Sequence, residues 1–196
     1  MTTQIAARAY LSDLKAVIDR FDMDAFDALV AAVMAAYQAE RTIFTMGNGG
    51  SAATASHLVC DINKGCCMDL EKKFKMMCLS DNVATMMAYA NDVAYEAIFV
   101  EPLKNFFRPG DLVIGISGSG NSENVLRAIR WAGENGGVTA GLSGFSGGQL
   151  ATLVDIALVA DIHDMQKVED MHVIIGHMLM QIVYARLHPG RTAGPC

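Results

Sequence analysis

His57 and Asp61 are the first pair in this chain whose types and spacing could do chemistry. Four positions apart, they share one face of any helix that contains both, which suits a metal-ligand pair or an acid with its base. An isolated pair of this kind is more often a helix-surface ion pair. This one lies one to two turns beyond the loop Gly47-Asn48-Gly49-Gly50-Ser51, and that position favours function. A second loop, Ser117-Gly118-Ser119-Gly120-Asn121-Ser122, repeats the arrangement: each follows a short, uncharged, β-forming run and opens a helix-like segment. A helix N-terminus at the end of a buried strand offers unpaired N–H groups and a positive dipole end to an anion. Hydroxyls of Ser51, Ser117, Ser119 and Ser122 add neutral donors. The expected ligand group is a phosphate, held mainly without lysine or arginine.

Further candidates, Glu169, Asp170, His172 and His177, stand in an apolar C-terminal run with Met171, Val173, Ile174, Ile175, Met178 and Leu179. On such a helix a hydrogen-bonded core histidine is commoner than a ligand, so spacing alone does not separate His172 from His177. The first loop also fits the dinucleotide template G-x-G-x-x-A through Gly47, Gly49 and Ala52. That template wants an acid at a second strand end about twenty residues on. Asp69 lies near that distance but in the polar stretch 69–73, before the next strand, and no nucleotide cofactor is expected.

The elements that must position these groups follow from periodicity. Leu11, Leu14, Ile18 and Phe21 mark one face of a first amphipathic helix, and Phe26, Val30, Val33 and Tyr37 one face of a second. This N-terminal helical pair (1–40) is expected to serve assembly. Strands are predicted at 42–46, 74–79, 111–116, 137–143 and 155–160. Helices are predicted at 52–64, 82–90, 95–107, 122–134, 148–153 and 165–187. Alternation of this kind indicates parallel pairing, right-handed crossovers and an α/β fold: a three-layer α/β/α sandwich on a five-stranded parallel sheet. Ligands then sit beyond the C-terminal strand ends, where both loops fall.

At 196 residues the chain suits one domain, 1–188, with 189–196 a disordered tail. A net charge of −6 without a long basic run excludes a broad nucleic-acid-binding face. The first residues carry no leader pattern, and no uncharged run is long enough to span a membrane, so a cytoplasmic location is expected. The five cysteines, 60, 66, 67, 78 and 196, contain no C-x-x-C pair and are read as reduced thiols rather than zinc ligands. The 13 methionines are read as fillers of gaps in a core or interface.

GNGGSAATASH (47–57), AND (90–92), GISGSGNSENVLRAI (115–129), LSGFSGG (142–148) and VEDMHVIIGHML (168–179) together resemble the sugar isomerase (SIS) domain of the phosphoheptose isomerases, over nearly the whole chain. The resemblance implies a flavodoxin-like SIS fold, a homotetramer and interconversion of sedoheptulose 7-phosphate with a glycero-manno-heptose 7-phosphate. It implies that Asn48, Gly49, Gly50, Ser51, Asn91, Asp92, Ser117, Gly118, Ser119 and Ser122 line the substrate, with Asp61 and Glu169 also in reach. It further implies a zinc held by His57, Asp61, Glu169 and His177, with Asp61 and His177 catalytic. Non-catalytic sugar-phosphate sensors and a replication-initiator-binding protein share the same cradle. The family's catalytic carboxylate and second histidine, matched here by Asp61 and His177, favour an enzyme; an isomerase for another phosphosugar has the same signature. Three positions depart from the family: Asp61 replaces glutamate, Glu169 replaces glutamine, and Gly118 replaces a frequent threonine. Glu169 and His177 are eight residues apart, roughly 12 Å and about 80° on a straight helix. Sharing one zinc therefore requires both side chains to lean inward, or two subunits to contribute.

Overall fold

Five parallel strands form one sheet in the order β2-β1-β3-β4-β5, comprising β1 (Thr42–Gly47), β2 (Lys75–Cys78), β3 (Leu112–Ser117), β4 (Val138–Gly144) and β5 (Ile156–Ala160). The computed structural model describes residues 2–191; positions 192–196 of the expected tail, Cys196 included, lie outside the described residues. Side chains alternate across the sheet. Ile43, Leu112, Ile114, Leu142 and Leu158 face one core, and Phe44, Met46 and Val113 face the other. The first core is closed by α2 (Met23–Gln38), α3 (Gly50–Cys60) and α8 (Met165–Leu187). The second is closed by α5 (Val100–Phe106), α6 (Glu123–Glu134) and α7 (Gly148–Leu153), while α4 (Val83–Asp92) has no buried residue.

Handedness explains which helix covers which face. From β1 the chain steps one way to β2; from β3 it steps the other way to β4 and β5. With right-handed crossovers, opposite steps place the connecting helices on opposite faces, so α3 and α6 diverge and leave a crevice between the ends of β1 and β3. Both glycine-rich loops border that crevice.

The helical pair divides its labour. In α2, Phe26, Leu29, Val30 and Val33 are buried against the sheet and α8. In α1 (Thr3–Asp19), Val17 is the buried residue and Leu14 packs beside it, whereas Leu11 and Ile18, predicted on one face with Leu14, are 63% and 45% exposed. Polar contacts hold α1 to α8: Lys167 Nζ donates to Asp13 (3.0 Å), and the Tyr10 hydroxyl donates to Asp170 (2.5 Å), while Lys167 also donates to Asp164 at the start of its own helix (2.7 Å).

The predicted helix 95–107 is two pieces, a 3-10 turn at Tyr95–Ala97 and then α5. Pro102 has no N–H to give and belongs in a first helical turn, so the helix restarts at Val100. The predicted helix 52–64 begins earlier and changes type, passing from α3 into a π-helical turn over Asp61–Cys66. At the C-terminus, His188 Nε2 lies 2.9 Å from the Cys66 carbonyl, and Arg191 pairs with Asp69 at 3.3 Å.

His172 is buried under β4, with Nε2 donating to the Ser143 carbonyl at 3.1 Å and Nδ1 buried without a partner. Burial pushes this imidazole below its ordinary value, outweighing the upward pull of the Ser143 carbonyl. The unfolded chain therefore takes up a proton that the folded ring refuses, and stability falls as pH drops below about 6.5. In His172→Gln the acid limb of unfolding free energy against pH should flatten by up to about 1.4 kcal/mol per pH unit. Denaturant titrations from pH 7 to 5 measure both slopes, and equal slopes would show that the ring is not held neutral.

Candidate active site

The first loop turns directly from β1 into α3. Gly49 has φ +53°, a left-handed conformation that glycine adopts without strain, and a Cβ on Gly47 would lie 2.7 Å from the Ser51 backbone. Ser80, buried beyond β2, anchors the turn: its hydroxyl donates to the Gly47 carbonyl (2.8 Å) and accepts from the Gly47 N–H (3.2 Å). In the second loop the Ser117 hydroxyl donates to that of Ser122 at 3.0 Å, and Ser119 accepts from the Asn121 N–H at 3.2 Å. Gly120, at φ +67°, lies so close to the Gly147 carbonyl that no side chain fits between them. The LSGFSGG run thus supplies the backbone against which the second loop rests.

The two loops line one cavity of about 310 Å³ that brings together Asn48, Gly49, Gly50, Ser51, Ser117, Gly118, Ser119, Ser122 and Glu169. No lysine or arginine lines it, and its one ionisable group is Glu169. The Glu169 carboxylate faces the start of α3, where a Cβ on Gly50 would lie 2.7 Å from Oε1. A carboxylate is favoured at that positive helix end. Asn91 and Asp92 are placed elsewhere: both are exposed at the C-terminal end of α4 and hydrogen-bonded to each other at 2.6 Å.

Helices α3 and α8 run side by side from this cavity, and the groove between them holds the titratable cluster. Asp61 sits between two imidazoles, with Oδ1 3.3 Å from His57 Nε2 and Oδ2 3.9 Å from His177 Nε2. The rings meet edge to face at 5.2 Å between centroids. Asp61 opens the π-helical turn, a local widening that recurs at functional sites. Its carboxylate, although a methylene shorter than glutamate, stands between both rings. One ligand atom from each of His57, Asp61 and His177 lies within 4.8 Å of the other two. Tetrahedral zinc with bonds near 2.0–2.1 Å needs its ligand atoms about 3.3 Å apart, so the donor set and spacing fit such an ion after small rotamer adjustments. Glu169 does not join this cluster within one chain. The eight-residue offset along α8 leaves it at the cradle.

Tertiary structure also separates the two histidines that sequence left together: His172 turns into the core and His177 into the groove. Cys60, Cys66, Cys67 and Cys78 are free, and burial pushes the Cys66 thiol up to about 12, so it stays protonated. Asp69, weighed as a nucleotide acid, lies ahead of β2 and pairs with Arg191.

Sequence reasoning missed Met165, Asn124 and Tyr95. Met165 lines the cradle, and a Cβ on Gly118 would strike its sulfur. The methionine occupies volume that a side chain at 118 would need, which accounts for glycine there. Nothing in the sequence distinguishes this methionine from the others. Gly118→Thr should cost about 1–3 kcal/mol of unfolding free energy through overpacking. Gly118→Thr/Met165→Ala should recover most of that loss, and chemical denaturation of the pair measures the recovery.

Comparison with known proteins agrees with this geometry. The family model for the SIS domain matches residues 9–144. The phosphoheptose isomerase of Paramagnetospirillum magneticum is 37% identical over 170 residues, covering 84% of this chain and 85% of that protein. The phosphoheptose isomerase of Pelobacter propionicus is 35% identical over 184 residues, covering 93% and 95%. The structure of phosphoheptose isomerase GmhA from Neisseria gonorrhoeae superposes with a TM-score of 0.85 at 23% identity over 93% of this chain and 98% of that one, a likeness of fold. With a hydroxyl-lined cradle at the strand ends, a His-Asp-His cluster beside it and relatives matched over most of their length, the chain belongs to the SIS-domain phosphoheptose isomerase family.

Proposed function

We propose that this protein is an aldose–ketose isomerase that converts sedoheptulose 7-phosphate to D-glycero-D-manno-heptose 7-phosphate. The observation that carries the reading is the groove between α3 and α8. It has a cradle of neutral hydroxyl and N–H donors, bordered by Glu169, at one end and His57, Asp61 and His177 further along, with His57 roughly 10 Å along α3 from Gly50. An open-chain seven-carbon sugar phosphate reaches from one to the other. Its phosphate would lie against Ser117, Ser119, Ser122 and the helix N-termini, and its carbonyl end beside Asp61.

Ketose-to-aldose conversion moves a proton from C1 to C2 through an enediol and shifts a second proton between the two oxygens. In this reading Asp61 takes and returns the carbon-bound proton while His177 serves the oxygens. Each is a side chain that can take up and release a proton, held at a fixed geometry. His57, Asp61 and His177 would hold zinc. When bound, zinc supplies polarisation of the carbonyl and its neighbouring hydroxyl. Glu169, at the cradle, serves the substrate in this reading rather than the ion. The exposed Ile5, Leu11 and Ile18 on α1 support a homo-oligomer, for which we propose a tetramer. Among the described residues no helix is long and apolar enough to cross a membrane. A cytoplasmic location fits the free thiols.

Incubating metal-analysed protein with sedoheptulose 7-phosphate before and after chelation tests the reading. Heptose 7-phosphate should form, stop forming on chelation and return with zinc. No product with metal restored would favour a non-catalytic phosphosugar-binding protein. His177→Gln should lower kcat by about 10²- to 10⁴-fold, and steady-state kinetics would remove His177 from the mechanism if kcat were unchanged. Ser119→Ala should weaken phosphosugar binding by about 1.5–3 kcal/mol, measured by calorimetry. Light scattering at micromolar concentration should give four subunits, and a monomer mass would refute the assembly.

A further inference from the structure

The β1–β3 ladder ends at the pair Gly47–Ile116. Beyond it, among the described residues, no backbone hydrogen bond joins the first loop to the second. The gap is spanned by side chains. Asn124, in the first turn of α6 and only 2% exposed, donates from Nδ2 to Asn48 Oδ1 at 2.8 Å and accepts from Asn48 Nδ2 at 2.9 Å. The Val125 N–H, at 2.9 Å, fixes the Asn124 oxygen from the other side. The Tyr95 hydroxyl donates to Asn48 Oδ1 at 3.0 Å. A side-chain amide oxygen has two acceptor sites, and Asn124 and Tyr95 fill both on Asn48. That oxygen has no capacity left for a sugar hydroxyl.

From this saturation we infer that Asn124 and Tyr95 are positioning residues: they clasp Asn48 and set the spacing between the two halves of the phosphosugar cradle. The inference rests on the phosphosugar reading of that cradle. The partners come from three different segments, the β1–α3 loop, α6 and the turn after α4, so the clasp fixes relative positions that no single element determines. The two amides exchange one hydrogen bond in each direction, and a buried amide pair of this kind rigidifies what it joins. Asn48 then acts chiefly through its place in the clasp, whereas an independent substrate contact would add its own contribution to binding. Tyr95 is more than half exposed, and its ring borders an apolar cavity of about 230 Å³ beside the first loop with Met86, Met87 and Phe99. Removing its hydroxyl alone spares the core.

A double-mutant cycle distinguishes the two roles for Asn48. Asn48→Ala and Asn124→Ala should each raise KM for sedoheptulose 7-phosphate about tenfold with a much smaller change in kcat, and the double variant should be no worse than the poorer single one. Tyr95→Phe, with the wild-type thermal midpoint, should raise KM severalfold and speed amide hydrogen exchange in residues 47–51 while the sheet is unaffected. Additive KM effects, or unchanged exchange in 47–51 in Tyr95→Phe, would overturn the clasp. If the wild-type protein neither turns over nor binds the sugar phosphate, the functional reading fails, and hydrogen exchange still decides whether the clasp orders the loop.

Discussion

The structure depends on one topological constraint: β1 and β3 lie side by side, but the chain leaves them in opposite directions. Right-handed crossovers then send α3 to one face of the sheet and α6 to the other, and the divergence opens a crevice that backbone alone does not fill. Two helix N-termini meet there, each preceded by a loop tight enough to need glycine. Such a place is favourable for an anion before any side chain is considered. The serines refine it with neutral donors, and the clasp of Asn48 by Asn124 and Tyr95 keeps its two sides in register.

The same constraint places the catalytic candidates. Because α3 starts at the crevice and runs on the same face as α8, His57, about two turns into α3, and Asp61, a turn further on in the π-helical segment, face residues in the middle of α8. His57 and Asp61 thus meet His177 in the groove between the two helices, while Glu169, two turns earlier on α8, meets the beginning of α3. One helix pair therefore carries the cradle at its start and the His-Asp-His cluster further along, and the spacing between them is set by helix rise. The N-terminal segment takes part indirectly. Lys167 and Asp170, paired with Asp13 and Tyr10 of α1, brace the first turns of the helix that presents Met165 and Glu169.

Much of this was legible beforehand because the signals are local. Glycine at loop positions with left-handed φ, uncharged runs of β-formers, and the His57–Asp61 spacing each report a property of a few consecutive residues. The errors arose where locality ends. A continuous helix over 95–107 ignored the need of Pro102 for a first turn. The stripe on α1 divides into a packed part, Leu14 beside the buried Val17, and an exposed part, Leu11 and Ile18, because periodicity gives a stripe without saying which part a neighbour covers. The threonine-to-glycine change at 118 had no local meaning until the Met165 sulfur was found in the space.

What sequence determined by itself was the class of fold, the glycine- and hydroxyl-rich make-up of the cradle and the residue types available for proton transfer. Each follows from backbone conformational preference or side-chain chemistry, which travel with the residue. Tertiary structure alone decided that His172 is a neutral core residue and His177 a groove residue, five positions later on one apolar helix. It also decided that Glu169 lies at the cradle instead of beside His57, and that the Asn48 amide oxygen is consumed by Asn124 and Tyr95. The physical reason is common to all three. Burial, charge separation and hydrogen-bond saturation depend on which surfaces are brought together by packing, across separations of 76 residues in the case of Asn48 and Asn124.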